Sequence, residues 1–243
     1  VKLCMGKGST NAQPLFETAT PYADGDFSGV DEVTLAGVIV EPYNDGQFVT
    51  KAMLYRAWDV PGQEPVMGGT VLDPTNPNPN LTLTPSAFDN VGNMDGAVFS
   101  VLVDGLTEEG YFADVKAFAS LGWSESDPDG GAMFGSTDSE SGYSYWLGAY
   151  LPVTVDDENY GTVGLEYNHG DEYWRPFTYA EDTLAGSKLA TRGDAWEANW
   201  TYQINDALSM QLRYVKMDYD YTGSNGFFGN YSGNTNDIDD LKS

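Results

Sequence analysis

Tyr111-Phe112-Ala113-Asp114-Val115-Lys116-Ala117-Phe118-Ala119-Ser120-Leu121-Gly122-Trp123 reads as two interleaved faces. Tyr111, Ala113, Val115, Ala117, Ala119, Leu121 and Trp123 share one side, and Phe112, Asp114, Lys116, Phe118, Ser120 and Gly122 share the other. Side chains along a strand alternate between faces, so a period of two predicts a strand with two unlike surroundings. Ala195–Ile204 repeats the scheme, setting Trp196, Ala198, Trp200, Tyr202 and Ile204 against Glu197, Asn199, Thr201 and Gln203. In Thr162–His169, Val163, Leu165 and Tyr167 oppose Thr162, Gly164, Glu166 and Asn168.

Working outward, the same rhythm predicts strands at Val1–Met5, Asp31–Glu41, Gln47–Trp58, Asp95–Asp104, Tyr111–Gly122, Tyr143–Val153, Thr162–His169, Ala195–Ile204 and Ser209–Tyr221. Most run about 10–12 residues, the length of a tilted membrane-crossing strand rather than the ~5–6 of a globular one. A soluble sandwich also alternates, so alternation alone does not place them in lipid. The connections add a second signal. Pro42–Gly46, Gly105–Gly110, Thr154–Gly161 and Asn205–Leu208 are short and rich in Gly, Asn, Asp or Pro, the residues of tight turns. Gly6–Val30, Asp59–Met94, Trp123–Gly142, Gly170–Asp194 and Thr222–Ser243 are long. The two kinds alternate strictly, as in an up-and-down outer-membrane barrel with loops on one rim and turns on the other. Loops beyond about 12–15 residues are uncommon in compact soluble domains.

Aromatic residues crowd the strand ends. With the long loops placed above, Trp58, Trp123, Tyr143, Tyr145, Tyr167, Trp196 and Tyr219 form an upper belt, and Tyr43, Phe48, Tyr111, Phe112, Tyr150, Tyr160 and Tyr202 a lower one. Amphipathic rings favour the headgroup level of a bilayer; high strand propensity of aromatics is the competing explanation. The polar side of the strands supplies candidate lumen-facing residues: Asp114, Lys116, Glu166, Asn168, Glu197, Asn199, Gln211 and Arg213. Periodicity leaves the facing of Lys51 and Arg56 open. The lining is mixed in sign, so no ion selectivity follows.

Composition bounds the rest. The chain of 243 residues is 41% hydrophobic, and no run of about 18 apolar residues suggests a helical span. No linker divides it, so residues 1–243 read as one β-barrel domain. The pattern opens inside a strand and closes in a loop, and bacterial barrels usually have even strand numbers. The expectation is therefore part of a longer barrel. Asp and Glu number 37 against 11 Lys and Arg, a net charge of −26, which argues against a nucleic-acid partner. A single cysteine, Cys4, allows no internal disulfide.

Catalysis and cofactors find little support. The one histidine, His169, has no particular serine to pair with, and Glu166 with Glu197 reads more simply as wall polarity than as an acid–base pair. Met5-Gly6-Lys7-Gly8-Ser9-Thr10 lacks phosphate-loop spacing. Ser126-Asp127-Pro128-Asp129-Gly130-Gly131 begins like a calcium loop through Asp127 and Asp129, without the remaining ligand spacing. The expectation is no enzyme and no cofactor beyond loosely held divalent cations bridging the acidic rim to lipopolysaccharide.

Gly164-Leu165-Glu166-Tyr167-Asn168-His169-Gly170, then Tyr173-Trp174, Ser187-Lys188-Leu189-Ala190-Thr191-Arg192-Gly193 and Tyr214–Gly223, resemble an uncharacterised Gram-negative family of porin-like outer-membrane proteins, a domain of unknown function. The resemblance is clearest over about Tyr143–Gly226. It implies an outer-membrane β-barrel whose N-terminal portion and last strand are absent here, and it carries no catalytic residues. The Asn-His-Gly and Lys-Leu-Ala-Thr-Arg-Gly segments flank Gly170–Asp194. That loop is the candidate for a functional or pore-constricting element; packing against the barrel wall is the other reading.

Three functions remain open on sequence. One is a passive outer-membrane pore for small solutes or ions, which for a wide lumen needs about 16 or more strands. A second is a structural barrel plugged by loops or by a barrel-associated protein, with homo-oligomers allowed. The third is a soluble extracellular β protein with an adhesive or carbohydrate-binding surface.

Overall fold

The computed structural model describes residues 1–8, 33–63, 88–129, 133, 136–156, 158–176, 182–183, 186–221 and 239. Its strands are β1 (Lys2–Gly8), β2 (Val33–Asn44), β3 (Phe48–Gln63), β4 (Phe88–Asp104), β5 (Lys116–Pro128), β6 (Ser141–Val155), β7 (Glu158–Gly170), the two-residue β8 (Asp182–Thr183) and β9 (Gly186–Ser187), β10 (Gly193–Asn205) and β11 (Leu208–Tyr219). Nine of them form one sheet in the order β1-β2-β3-β4-β5-β6-β7-β10-β11, every neighbouring pair antiparallel. β8 and β9 make a separate small ribbon. The protein is all-β and up-and-down, as the alternation predicts, but among the described residues the sheet is not closed into a barrel: β1 and β11 each pair there on one side only.

All nine strand positions are recovered, with several bounds displaced: β4 begins at Phe88 rather than Asp95, β7 at Glu158 rather than Thr162, and β3 and β5 run on to Gln63 and Pro128, into stretches that read as long loops. Tyr111–Asp114 is a turn of 3-10 helix rather than strand, and β5 begins at Lys116. The alternation of Tyr111–Val115 is a coincidence of composition. Gly105 and Gly110 hold φ of 86° and 82°, a region open to glycine and costly for other residues. They let the chain close a compact loop in which Gly105 N–H donates to Val115 and Leu106 N–H to Phe112. Tyr111 and Phe112 meet edge to face there, with ring centres 5.4 Å apart.

The turn between β2 and β3 shows why the short connections are short. The Asp45 carboxylate accepts from the N–H groups of Gln47 and Phe48 at 3.0 and 2.7 Å and from the Tyr43 hydroxyl at 2.7 Å. Gly46 takes a φ of 94° beside it. Local side-chain bonds of this kind replace the ladder where the chain reverses.

The register sorts side chains onto two faces. The outer face carries Leu3 and Met5 of β1, Leu54 of β3, Phe99 of β4, Leu121 of β5, Leu147 of β6, Leu165 of β7, Trp196 of β10, and Leu212 and Tyr214 of β11, all exposed. Exposure is 62% at Leu121, in the middle of the sheet, and 84% at Leu3 on its edge. The inner face changes across the sheet. It is mainly apolar at β2–β4 (Val33, Leu35, Met53, Tyr55, Met94, Val98), mixed at β5 and β6, where Ser120, Ser124 and Ser144 stand beside Phe118, Trp146 and Tyr150, and charged or amide-bearing from β7 onward (Glu166, Asn168, Glu197, Asn199, Arg213). Near the long-loop end, Val33, Ala57, Val60, Val91, Met94 and Met133 form a small buried cluster.

Pairing also staggers the strands. One cross-sheet row runs Ala52, Phe99, Leu121, Tyr145, His169 and Asp194. It begins mid-strand in β3 and reaches the long-loop end in β7 and β10, the offset that tilted strands of a curved wall require.

Candidate functional site

The site forms where residues 171–176 and 186–192, the described arms of the connection between β7 and β10, fold back over the inner face. Trp174 lies against β5 and β6. A Cβ at Gly122 would stand 2.4 Å from its ring, and one at Gly142 would stand 2.2 Å from its backbone nitrogen. Glycine inside a strand marks close approach of another chain segment, and here it makes the seat for an indole. Trp174 Nε1 donates to the Leu189 carbonyl at 2.8 Å, and the buried Arg192 Nε donates to the Trp174 carbonyl at 3.2 Å. The two arms of the segment therefore hold each other. Arg175 N–H donates to Ser124 Oγ, and Asn168 Nδ2 to the Lys188 carbonyl, fixing both arms to the sheet.

Lys188 is the fastening point. Its Nζ lies 2.6 Å from Glu166 Oε2 and 2.6 Å from Glu197 Oε2, and only 2% of the residue is exposed. Glu166 and Glu197 sit opposite one another in the β7–β10 register, so their like charges converge by construction. Trp146 Nε1 and the Tyr150 hydroxyl also donate to Glu166, at 2.9 and 2.5 Å. Arg213 Nη2 and Asn199 Nδ2 donate to Glu197, at 2.6 and 3.0 Å. Two cations balance two carboxylates, and every carboxylate oxygen has a donor. Buried charge persists when paired and hydrogen-bonded in this way. Lys188 Nζ lies 5.5 Å from the centre of the Trp146 ring, within cation–π range.

Of the residues singled out by the alternation, Glu166, Asn168, Glu197, Asn199 and Arg213 come together here. Gln211 is on the same face and donates to Thr201 Oγ1. Lys116 faces inward near the opposite end, bound to Asp104 at 2.8 Å. Asp114 stands in the 3-10 turn, outside the strand and exposed. Trp58, Trp123, Tyr143, Tyr145, Tyr167 and Trp196 lie on the outer face toward the long-loop end, and Tyr202 on the outer face toward the short turns, stacked on Trp200. Tyr111 caps the rim in its turn. Tyr150 is a departure from the lower belt: it turns to the inner face and bonds Glu166. Tyr219 is likewise on the inner face by register.

Charges on the outer face gather toward the long-loop end. Arg56, of undecided facing on sequence, points outward and binds Asp95 and Asp127 at 2.9 and 2.7 Å; Lys51 faces inward opposite Ser100. Asp127 is thus held by Arg56 and by Asn93, while Asp129 gives its N–H to Val91. Among the described residues no group of three or more His, Cys, Asp or Glu side chains converges as a metal site. His169 Nδ1 lies 2.9 Å from Asp194, which also accepts from Tyr167 at 2.6 Å.

The signal for Lys188 and Trp174 was present in the chain, but its meaning was not. A lysine in a loop reads as solvated, and only the convergence of two strand carboxylates reveals its place. Fold and site together define a single antiparallel meander whose inner face is strapped by its own loop. The chain belongs, over residues 1–243, to the family described as Protein of unknown function (DUF3373). No curated protein and no solved structure matches it.

Proposed function

We propose that this chain forms wall of a porin-like outer-membrane β-barrel in a Gram-negative bacterium, with lipid and lipopolysaccharide against the outer face and small solutes or ions passing the inner one. One observation carries the reading. On the outer face, Leu3, Met5, Val38, Leu54, Ala97, Phe99, Ala119, Leu121, Leu147, Leu165, Ala198 and Leu212 make a band without charge, while Arg56, Asp95, Glu125, Asp127, Asp194, Lys216 and Asp218 stand toward the long-loop end. A soluble protein rarely leaves a contiguous apolar surface of this extent bare. A barrel wall requires it, with aromatic rings at the interfaces. In this reading the free edges of β1 and β11 pair with further strands, because an open edge has no place in hydrocarbon.

In this reading the strap formed by residues 171–176 and 186–192 narrows the passage. Purified full-length protein in planar bilayers is expected to give discrete conductance steps, and Lys188→Gln is expected to enlarge them by loosening the strap. Persistent silence would remove the channel.

The buried fastening of the strap favours a second reading, a structural barrel whose lumen is closed by its own loop or by a partner protein. That barrel would need detergent for extraction and stay silent in bilayers. Extraction without detergent would point instead to a soluble extracellular β protein and sink both.

A further inference from the structure

A cavity of 420 Å³ lies between the strap and the inner face, walled by β2 through β7 and by Trp174, Pro176 and Leu189. Six adjacent strands laid flat would extend over about 24 Å, at ~4.8 Å per gap, so one cavity touching all six requires the sheet to curl around it. We propose that this cavity is a binding site for a neutral, mainly apolar small molecule, aromatic or aliphatic.

The lining decides the ligand class. Leu35, Met53 and Val98 line it together with Trp146, Trp174 and Leu189. The serine and asparagine side chains among them are already hydrogen-bonded. Ser100 and Ser120 share a hydrogen bond of 2.8 Å, Ser144 donates to Asn168, and Asn168 donates to the Lys188 carbonyl. Both indole nitrogens are also engaged, Trp146 with Glu166 and Trp174 with Leu189. Among the lining residues Tyr55 alone titrates, and the ammonium of Lys188 is spent on Glu166 and Glu197. An ion would enter without a counter-charge, at high desolvation cost. Water fares little better, because a held water needs roughly 2–4 polar partners and the apolar walls offer few. Displacing poorly held water by an apolar group gains affinity. The size falls within the ~300–1,000 Å³ of small-molecule sites.

The test uses indole, a neutral aromatic probe, titrated calorimetrically into purified full-length protein in detergent, with detergent alone as background. Saturable one-to-one binding is expected. Val98→Trp fills the cavity and is expected to weaken binding about tenfold or more, the scale set by one or two carbon groups in an apolar pocket. If Val98→Trp lowers the folded fraction by near-ultraviolet circular dichroism, Met53→Phe serves as the filler. Heat no greater than background, equal affinity in the filled variants, or equal affinity for the anion indole-3-acetate would each overturn the site. The proposal stands apart from the channel: a protein silent in bilayers that binds indole keeps the site, and a conducting protein that does not bind loses it.

Discussion

Lys188 concentrates more of the structure than any other residue. It ties a loop to two strands, and its loss would leave Glu166 and Glu197 facing each other with Arg213 as the remaining cation. Removing one partner from a buried pair costs about 3–5 kcal/mol, mostly as uncompensated charge. Lys188→Met is therefore expected to lower stability on that scale in urea unfolding of the detergent-solubilised protein. Lys188→Met with Glu166→Gln restores neutrality, since Glu197 keeps Arg213, and is expected to be more stable than the single variant. A double variant no more stable than the single one would show that packing, not charge, holds the strap. Asp45 acts at the opposite rim. Donation from Phe48, then from Tyr43 and Gln47, holds its carboxyl below the ordinary carboxylate range. A depressed carboxyl stabilises the fold above its unfolded pKa of about 3.9, and that stabilisation fades as pH falls through the lower folded value. The stability gap between wild type and Asp45→Asn, read from thermal melts, is expected to hold at neutral pH and close in acid.

At the scale of elements, the alternation located all nine strands of the sheet because period two survives without knowledge of partners. It failed where local backbone geometry overrode pattern. The 3-10 turn at Tyr111–Asp114 carries strand-like alternation, yet the flanking Gly105 and Gly110 turn the chain before β5. The candidate loop was legible as a position and not as a structure. Its seat depends on Gly122, opposite Ser144, and Gly142, opposite Ser124, lying diagonally across β5 and β6, and adjacency between strands is a property of register rather than of sequence distance. The outer face of β5 supplies the sharpest test at this scale. Leu121 sits mid-strand between Phe99 and Tyr145 and is 62% exposed. In water, Leu121→Arg would fall within about ±0.5 kcal/mol of wild type. Against lipid at mid-depth it is expected to cost about 2–4 kcal/mol. Urea unfolding in the presence of lipid vesicles reads the difference, and a near-zero value would withdraw the membrane wall.

For the whole molecule, the two faces divide the work. The outer one is uniform along the sheet, and the inner one grades from apolar at β2–β4 to charged at β7–β11. A uniformly polar lumen was the simplest expectation from alternation. The grading was hidden because Leu35, Met53 and Val98 are apolar on a face assigned by its polar members, and strands with apolar residues on both sides lose the contrast that alternation measures. The net charge of −26 belongs to this scale as well. It raises local cation concentration near the acidic rim and weakens with salt.

Strand order in space follows strand order in the chain, so each hairpin can add to the one before it without a distant partner. Such local pairing favours rapid, stepwise growth of the sheet. The strap cannot join that sequence early. Lys188 precedes β10 in the chain but needs Glu197 within β10 and, through it, Arg213 in β11. Glu166 of β7 and the Trp174 seat on β5 and β6 are in place earlier, but they leave Lys188 with one of its two carboxylates. The fastening of the loop is thus complete only after β10 and β11 have been laid down. The nascent sheet passes through a stage in which its concave face is still open to whatever is nearby.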